Sequence, residues 1–457
     1  MNNLKSRLAL MNFLEFGVWG AYLTSLGTYL YNVGLANEIG WFYAVQGIVS
    51  IFMPAIVGIV ADRWIPAQKM LSLCHLLAGA FMIAAGVYAM NTGADVQFGP
   101  LFTLYSLSVA FFMPTIGLGN AVCYSAMAKA GMDTIKDFPP IRVLGTVGFI
   151  VAMLVTNFTG FQNTFQQLLF SGVLSMAMVL YALSLPACDT SRGKPSKGLV
   201  DALGLRAFTL FKDPSMAIFF IFSMLLGVSL QITNGFANPF ISSFKAIPEF
   251  ASTWGANNAN ALISISQASE TLCILLIPFF LKRFGIKIVM LMAMIAWSLR
   301  FGFFGIGNPG SGVWLLILSM IVYGVAFDFF NVSGSLYVDQ RTDPSMRNSA
   351  QGLFMIMTNG IGATVGTLGA QAIISRVVYT VPEGTMEYAN AWSDAWFIFA
   401  GYAAVVAVLF VLIFRNPSKR RVADASVGVA LRNDDAEPGG FIDLDQPKRP
   451  PYIKKQK

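Results

Sequence analysis

Charge is scarce in this sequence. Only 12% of its 457 residues are Asp, Glu, Lys or Arg, while 56% are apolar; soluble domains average about 25% charged. So much apolar surface excludes a soluble protein of this length and points to lipid as the main solvent. Histidine is nearly absent: His75 is the single copy, too few for a histidine-built zinc site. The four cysteines, Cys74, Cys123, Cys188 and Cys273, are scattered without a CxxC or other metal-ligand spacing. They read as small core residues. No metal site and no nucleophile–base pair stands out, so neither an enzyme nor a resident cofactor is expected.

Long hydrophobic runs are present instead. A spanning helix needs about 20 apolar residues, and twelve segments qualify: 8–31, 39–61, 69–90, 99–127, 138–158, 165–186, 215–243, 259–281, 286–306, 312–337, 348–375 and 392–414. The first follows Lys5 and Arg7 and runs for about 24 residues without an A-x-A-like site. It is therefore expected to be a span rather than a cleaved signal peptide.

The formal charge of +7 would suit a nucleic-acid binder, but its placement argues otherwise. With the N-terminus inside, sixteen Lys and Arg fall in inner segments and only Lys245 and Arg376 in outer loops. That bias places both termini in the cytoplasm. The expected fold is an all-α integral membrane protein with twelve transmembrane helices in two six-helix halves, 1–186 and 215–414. A basic cytoplasmic linker, 187–214, would join them, and a charged tail, 415–457, reads as disordered. This is a transporter plan, with solute bound near the midplane between the halves.

Charged groups inside such spans are expensive, about 2.5–3.5 kcal/mol each on insertion scales, and are seldom idle. Asp328 lies deep in the tenth segment beside Phe327, with Asn331 and Ser335 on its helical face. Arg142, Thr146 and Phe149 form one stripe in the fifth. Gln231 and Asn234 pair at i, i+3 in the seventh, as do Gln267 and Glu270 in the eighth. Carboxamides both donate and accept hydrogen bonds, which suits a nucleobase edge. Phe149 and Phe327 offer faces for stacking. Glu270 and Asp328 can accept bonds from sugar hydroxyls. One arginine is too little for a phosphate, so the lining suits a neutral polar solute with an aromatic part, which leaves nucleoside, glycoside and sugar open. An acid whose charge is penalised by a low-dielectric cavity can also bind and release a proton, so Glu270 and Asp328 are candidates for proton coupling. Sodium coupling stays open.

Several longer strings carry a resemblance. Phe138-Pro139-Pro140-Ile141-Arg142 followed by Gly145-Thr146-Val147-Gly148-Phe149, Leu230-Gln231-Ile232-Thr233-Asn234, Ser264-Ile265-Ser266-Gln267 with Ser269-Glu270-Thr271, Ala326-Phe327-Asp328-Phe329-Phe330-Asn331, and Ala350-Gln351-Gly352 with Met357-Thr358-Asn359-Gly360 resemble the bacterial nucleoside/proton symporters of the major facilitator superfamily. The resemblance spans residues 4–414. It implies import of purine and pyrimidine nucleosides with protons across the inner membrane, by alternating access, in a chain taken as a monomer. It also implies a substrate pocket at Arg142, Thr146, Phe149, Gln231, Asn234, Gln267, Glu270, Phe327 and Asp328. The loop Gly58-Ile59-Val60-Ala61-Asp62-Arg63-Trp64 and its counterpart Lys282-Arg283-Phe284-Gly285-Ile286-Lys287 are similar to the superfamily's gating-loop motif. Asp62 and Arg63 would hold the cytoplasmic gate, although the first copy lacks the usual glycine and the second the Asp.

Alternatives are a related transporter for a sugar or glycoside, and a transporter-like sensor signalling through the tail. Outside the main stripes, Glu15 departs from the family, where a neutral amide stands; a third acid there would alter coupling or pH dependence, or else lie near the cytoplasmic surface and be solvated. His75 and Arg300 stand without polar stripes and read as structural, Arg300 snorkelling outward.

Overall fold

A computed structural model describes residues 2–189, 205–342 and 346–414. The expected tail and most of the expected linker lie outside the described residues, as do the side chains of Asp62 and Arg63 at the end of their helix. Among the described residues all regular structure is helical. The principal helices are α1 (Asn2–Gly20), α2 (Leu26–Asn32), α3 (Ile39–Arg63), α4 (Ala67–Thr92), α5 (Phe98–Lys129), α6 (Thr134–Phe158), α7 (Gln166–Ser184), α8 (Pro214–Ser243), the single turn α9 (Trp254–Asn257), α10 (Ala259–Ile306), α11 (Val313–Arg341), α12 (Arg347–Met355), α13 (Ala363–Val377) and α14 (Met386–Ile413).

Nine helical stretches among the described residues are long and apolar enough to cross a membrane, and they coincide with nine of the twelve expected segments. The other three expected segments fall in α1, α2 and α10, which are helical but broken or bent. Segment 8–31 is not continuous: residues 21–25 form a turn between α1 and α2. There the hydroxyl of Thr24 bonds to Asn260 and that of Ser25 to Gln167 Oε1 at 2.9 Å. These side chains have tertiary partners, and Ser and Thr hydroxyls of this kind compete with helix continuation. In α10 the helical run extends over 259–306, but Gly285 has φ +76° and ψ 168°. This left-handed φ is open to glycine at little steric cost and separates the run into 259–284 and 286–306.

Helices approach backbone to backbone where glycine removes the side chain. A Cβ added at Gly148 in α6 would sit 2.7 Å from the carbonyl carbon of Phe13 in α1. Small residues at membrane helix contacts allow this closeness and its van der Waals gain. The segment between α12 and α13, Ile356–Gly362, is π-helical, a geometry frequent at functional sites.

Polar bonds between early and late helices gather at one end of the bundle. Thr28 Oγ1 donates to Asn238 Oδ1 at 2.6 Å, Asn157 Nδ2 to Asn258 Oδ1 at 2.8 Å, and Gln371 Nε2 to the Ala36 carbonyl at 3.0 Å, while Gln371 Oε1 accepts from the Gly40 amide at 2.7 Å. Asn260 joins them, accepting from Thr24 and donating to the Met153 carbonyl at 3.1 Å. This belt ties α2, α3 and α6 to α8, α10 and α13.

Candidate functional site

Below that belt lies a cavity of about 1080 Å³. Ligand pockets usually fall in the range of about 300–1,000 Å³, so this one has room for a solute and for its path. Its wall runs from mid-helix residues such as Gln46, Phe149 and Asn359 towards Ala55, Asn120, Arg142 and Met346. Those residues lie near the helix ends at 64–66 and 130–133 and near Met346, opposite the polar belt. The cavity therefore extends to one end while the other is closed.

Eight of the nine expected pocket residues line it. From α6 come Arg142, Thr146 and Phe149; from α8, Gln231 and Asn234; from α10, Gln267 and Glu270; from α11, Phe327. The i, i+4, i+7 spacing holds the α6 stripe on one face, and the i, i+3 spacing does the same in α8 and α10. Asn234 Nδ2 donates to Gln231 Oε1 at 2.7 Å. That bond orients both carboxamides and leaves the Gln231 amide group and the Asn234 oxygen for a solute. The Arg142 guanidinium carbon sits 3.8 Å from the Phe16 ring centroid, a cation–π support. Among the described residues Arg142 forms no ion pair; Glu270 attracts it without reaching salt-bridge range. An arginine held this way can still donate to a ligand.

The ninth residue, Asp328, does not line the cavity. It is buried, 4% exposed, and its Oδ2 has no hydrogen-bond partner. It lies behind the wall, near enough to Glu270 for their charges to interact. An unpaired carboxylate oxygen at such depth fits a group that carries a proton for part of a cycle.

Residues the sequence reading missed complete the wall. Trp19 packs edge-on to Phe149, with ring centroids 6.2 Å apart, and its Nε1 donates to Gln46 Oε1 at 3.3 Å. Tyr323 stacks on Phe327 at 5.7 Å and 3°. Behind it, Arg300 lies 4.6 Å from the Tyr323 ring and donates to the Ser319 carbonyl at 2.7 Å. Arg300 is 2% exposed, so the outward snorkelling expected of it does not occur; the Ser319 carbonyl, the Ser266 hydroxyl and two aromatic faces hold it in place, and its Nε has no hydrogen-bond partner. Gln46 carried a usable signal, a carboxamide alone in an apolar helix. Trp19 and Tyr323 carried none among so many aromatics.

Of the two readings of Glu15, the solvated one does not hold: Glu15 is 2% exposed, and His75 is its partner at 2.7 Å. Facing helices α1 and α4 supply this pairing, which periodicity within one helix does not reveal.

A family model described as nucleoside H+ symporter matches residues 1–419. The chain belongs to the nucleoside/proton symporter family. The symporter is 46% identical over 417 residues to the xanthosine permease of Escherichia coli K12, covering 90% of this chain and 96% of that protein. It is 44% identical over the same length and coverage to the nucleoside permease NupG of that organism. A crystal structure of the nucleoside transporter NupG superposes with a TM-score of 0.81 at 43% identity, covering 91% of this chain and all of that one. A bacterial homologue of the human lysosomal transporter Spinster, crystallised inward-facing and unoccupied, shares the fold at 13% identity and a TM-score of 0.64. The symporter thus has a major facilitator fold and is a transporter, not an enzyme.

Proposed function

We propose that this symporter imports nucleosides with protons across the bacterial inner membrane. Twelve spans in two halves, 1–186 and 215–414, would alternate access around the cavity, with 187–214 linking them and both termini in the cytoplasm. One observation carries the reading: three carboxamides and Glu270 face Arg142 and Phe149 across a single cavity, the donors, acceptors and aromatic face that a neutral nucleoside presents. Membership of the family and the names of its relatives, a xanthosine permease and a nucleoside permease, support it.

In the proposed mechanism Gln231, Asn234 and Gln267 read base and ribose edges while Phe149 or Phe327 stacks the base. Glu270 accepts from ribose hydroxyls and receives the proton together with Asp328 behind it. A proton shared by these acids removes the repulsion between them, and Arg142 balances the charge when they are ionised. The belt at the closed end then opens as the other end closes, with Asp62 and Arg63 holding the cytoplasmic gate.

The test is uptake of uridine and adenosine by proteoliposomes under an imposed pH gradient, with and without a protonophore. Accumulation that collapses with the protonophore is expected. Uptake that only equilibrates would remove the proton from the mechanism. Failure of folded protein to take up either nucleoside would remove the substrate.

A further inference from the structure

Deep between α1, α4, α5 and α7 lies a second acidic group that the proposed transport cycle leaves unused. Glu15 is 2% exposed and His75 is fully buried at 0%. Neither lines the cavity. Ser175 on α7 donates its hydroxyl proton to the His75 carbonyl at 2.9 Å. A hydroxyl has one proton to give, so the 2.9 Å contact between Ser175 Oγ and His75 Nδ1 needs the ring N–H as donor. That places a proton on Nδ1. The other nitrogen, Nε2, lies 2.7 Å from Glu15 Oε2, and Glu15 Oε1 accepts from Thr115 Oγ1 at 2.6 Å. Without a proton between Nε2 and Oε2, two acceptors would face each other at hydrogen-bonding distance. The contact is complete only when one proton occupies it, as protonated carboxyl and neutral imidazole or as carboxylate and imidazolium.

The pair has a physical path to the cavity. Glu15 precedes Phe16, whose ring supports Arg142, and Arg142 feels the charge of Glu15 directly. His75 packs on Phe112, Phe112 on Trp19, and Trp19 on Phe149, with centroids 6.1, 6.2 and 6.2 Å apart. The titratable and charged groups around Glu15 are His75 and Cys74 on α4, Cys123 on α5 and Arg142 on α6.

We infer that Glu15 and His75 form a second proton-binding site, separate from Glu270 and Asp328, whose loading sets the electrostatic field at Arg142. Loaded, the pair is net neutral. Emptied, it presents an uncompensated carboxylate towards Arg142 and competes with Glu270 for its charge. The carboxyl is the element to change: Gln at this position would donate an amide N–H to Nε2 and accept from Thr115, a permanent copy of the loaded state that keeps both bonds. The role in transport rests on the symporter reading, but proton binding itself does not.

The chain has one histidine, so the full-length protein labelled with 15N-histidine in nanodiscs gives a single imidazole to follow by NMR. Expected is a protonated Nδ1 and an Nε2 signal that differs between the loaded and the emptied pair when pH is varied, with Glu15→Gln abolishing that difference while the protein stays folded. An Nε2 signal that is invariant with pH, or one that titrates identically in Glu15→Gln, overturns the site. No substrate is needed, so failure of nucleoside uptake leaves this result readable. In proteoliposomes Glu15→Gln should also lose one limb of the pH profile of uptake. A profile superimposable on the wild type would reduce the pair to a structural pin.

Discussion

In the proposed cycle Glu270 and Asp328 share the proton from different positions. Glu270 is half-buried in the cavity wall, whereas Asp328 lies behind it with an unpartnered oxygen. Glu270→Gln and Asp328→Asn should each abolish accumulation driven by a pH gradient. Glu270→Gln should also weaken nucleoside binding, because it removes an acceptor in the cavity; Asp328→Asn should leave equilibrium binding nearly unchanged. Isothermal titration alongside uptake separates the two, and gradient-driven uptake by both variants would remove the acids from coupling. Phe149 tests the stacking role. An aromatic pair contributes about 0.5–1.5 kcal/mol beyond area burial, so Phe149→Ala should weaken nucleoside affinity by at least about two- to twelvefold. At this scale the sequence was informative wherever a charge or amide stood alone in an apolar run, because burying such a group needs a reason. It left Glu15 undecided and failed for the outward reach of Arg300, because their partners, His75 and Ser319, come from other helices.

Among the helices, the close contact of α1 with α6 holds the Arg142 stripe against Phe16. It depends on the missing side chain at Gly148. Gly148→Ala would drive a methyl group into the Phe13 backbone, and overpacking of this kind costs about 1–3 kcal/mol. A lowered melting temperature in detergent is expected, whereas Gly99→Ala, with open space around its added Cβ, should match the wild type. Equal melting temperatures for the two variants would mean that the helices adjust freely. Apolar run length predicted where helices occur, since bilayer thickness and backbone hydrogen bonding demand it. The break at 21–25 and the π-helical Ile356–Gly362 were not foreseen, because both reflect contacts with neighbouring helices rather than local propensity.

Across the whole molecule, the polar belt at one end and the cavity extending to the other describe one state of an alternating cycle. Interhelical polar bonds in membrane proteins average about 0.6 kcal/mol, so such a belt can hold a conformation and still release it. Thr24→Val with Thr28→Val removes two of its bonds at little change in shape. The loss of about 1.2 kcal/mol should shift the balance between states by about eightfold towards opening at the belt. Spin labels at Gln166 and Glu249, both exposed beside it, would report a larger long-distance population in pulsed dipolar spectroscopy. An unchanged distance distribution would mean that the belt does not hold the state.

The apolar runs by themselves determined that the chain is helical and membrane-embedded, because hydrocarbon admits little else. Motif strings such as Phe138–Phe149 carried the family, and helical spacing the faces of α6, α8 and α10. Only the tertiary structure decided which faces meet: that Asp328 stands behind the cavity rather than in it, that Trp19, Gln46 and Tyr323 complete the wall, and that Glu15 is bonded to His75. Periodicity orders side chains around one helix axis, but the rotation and depth of each helix against its neighbours come from packing among residues far apart in the chain.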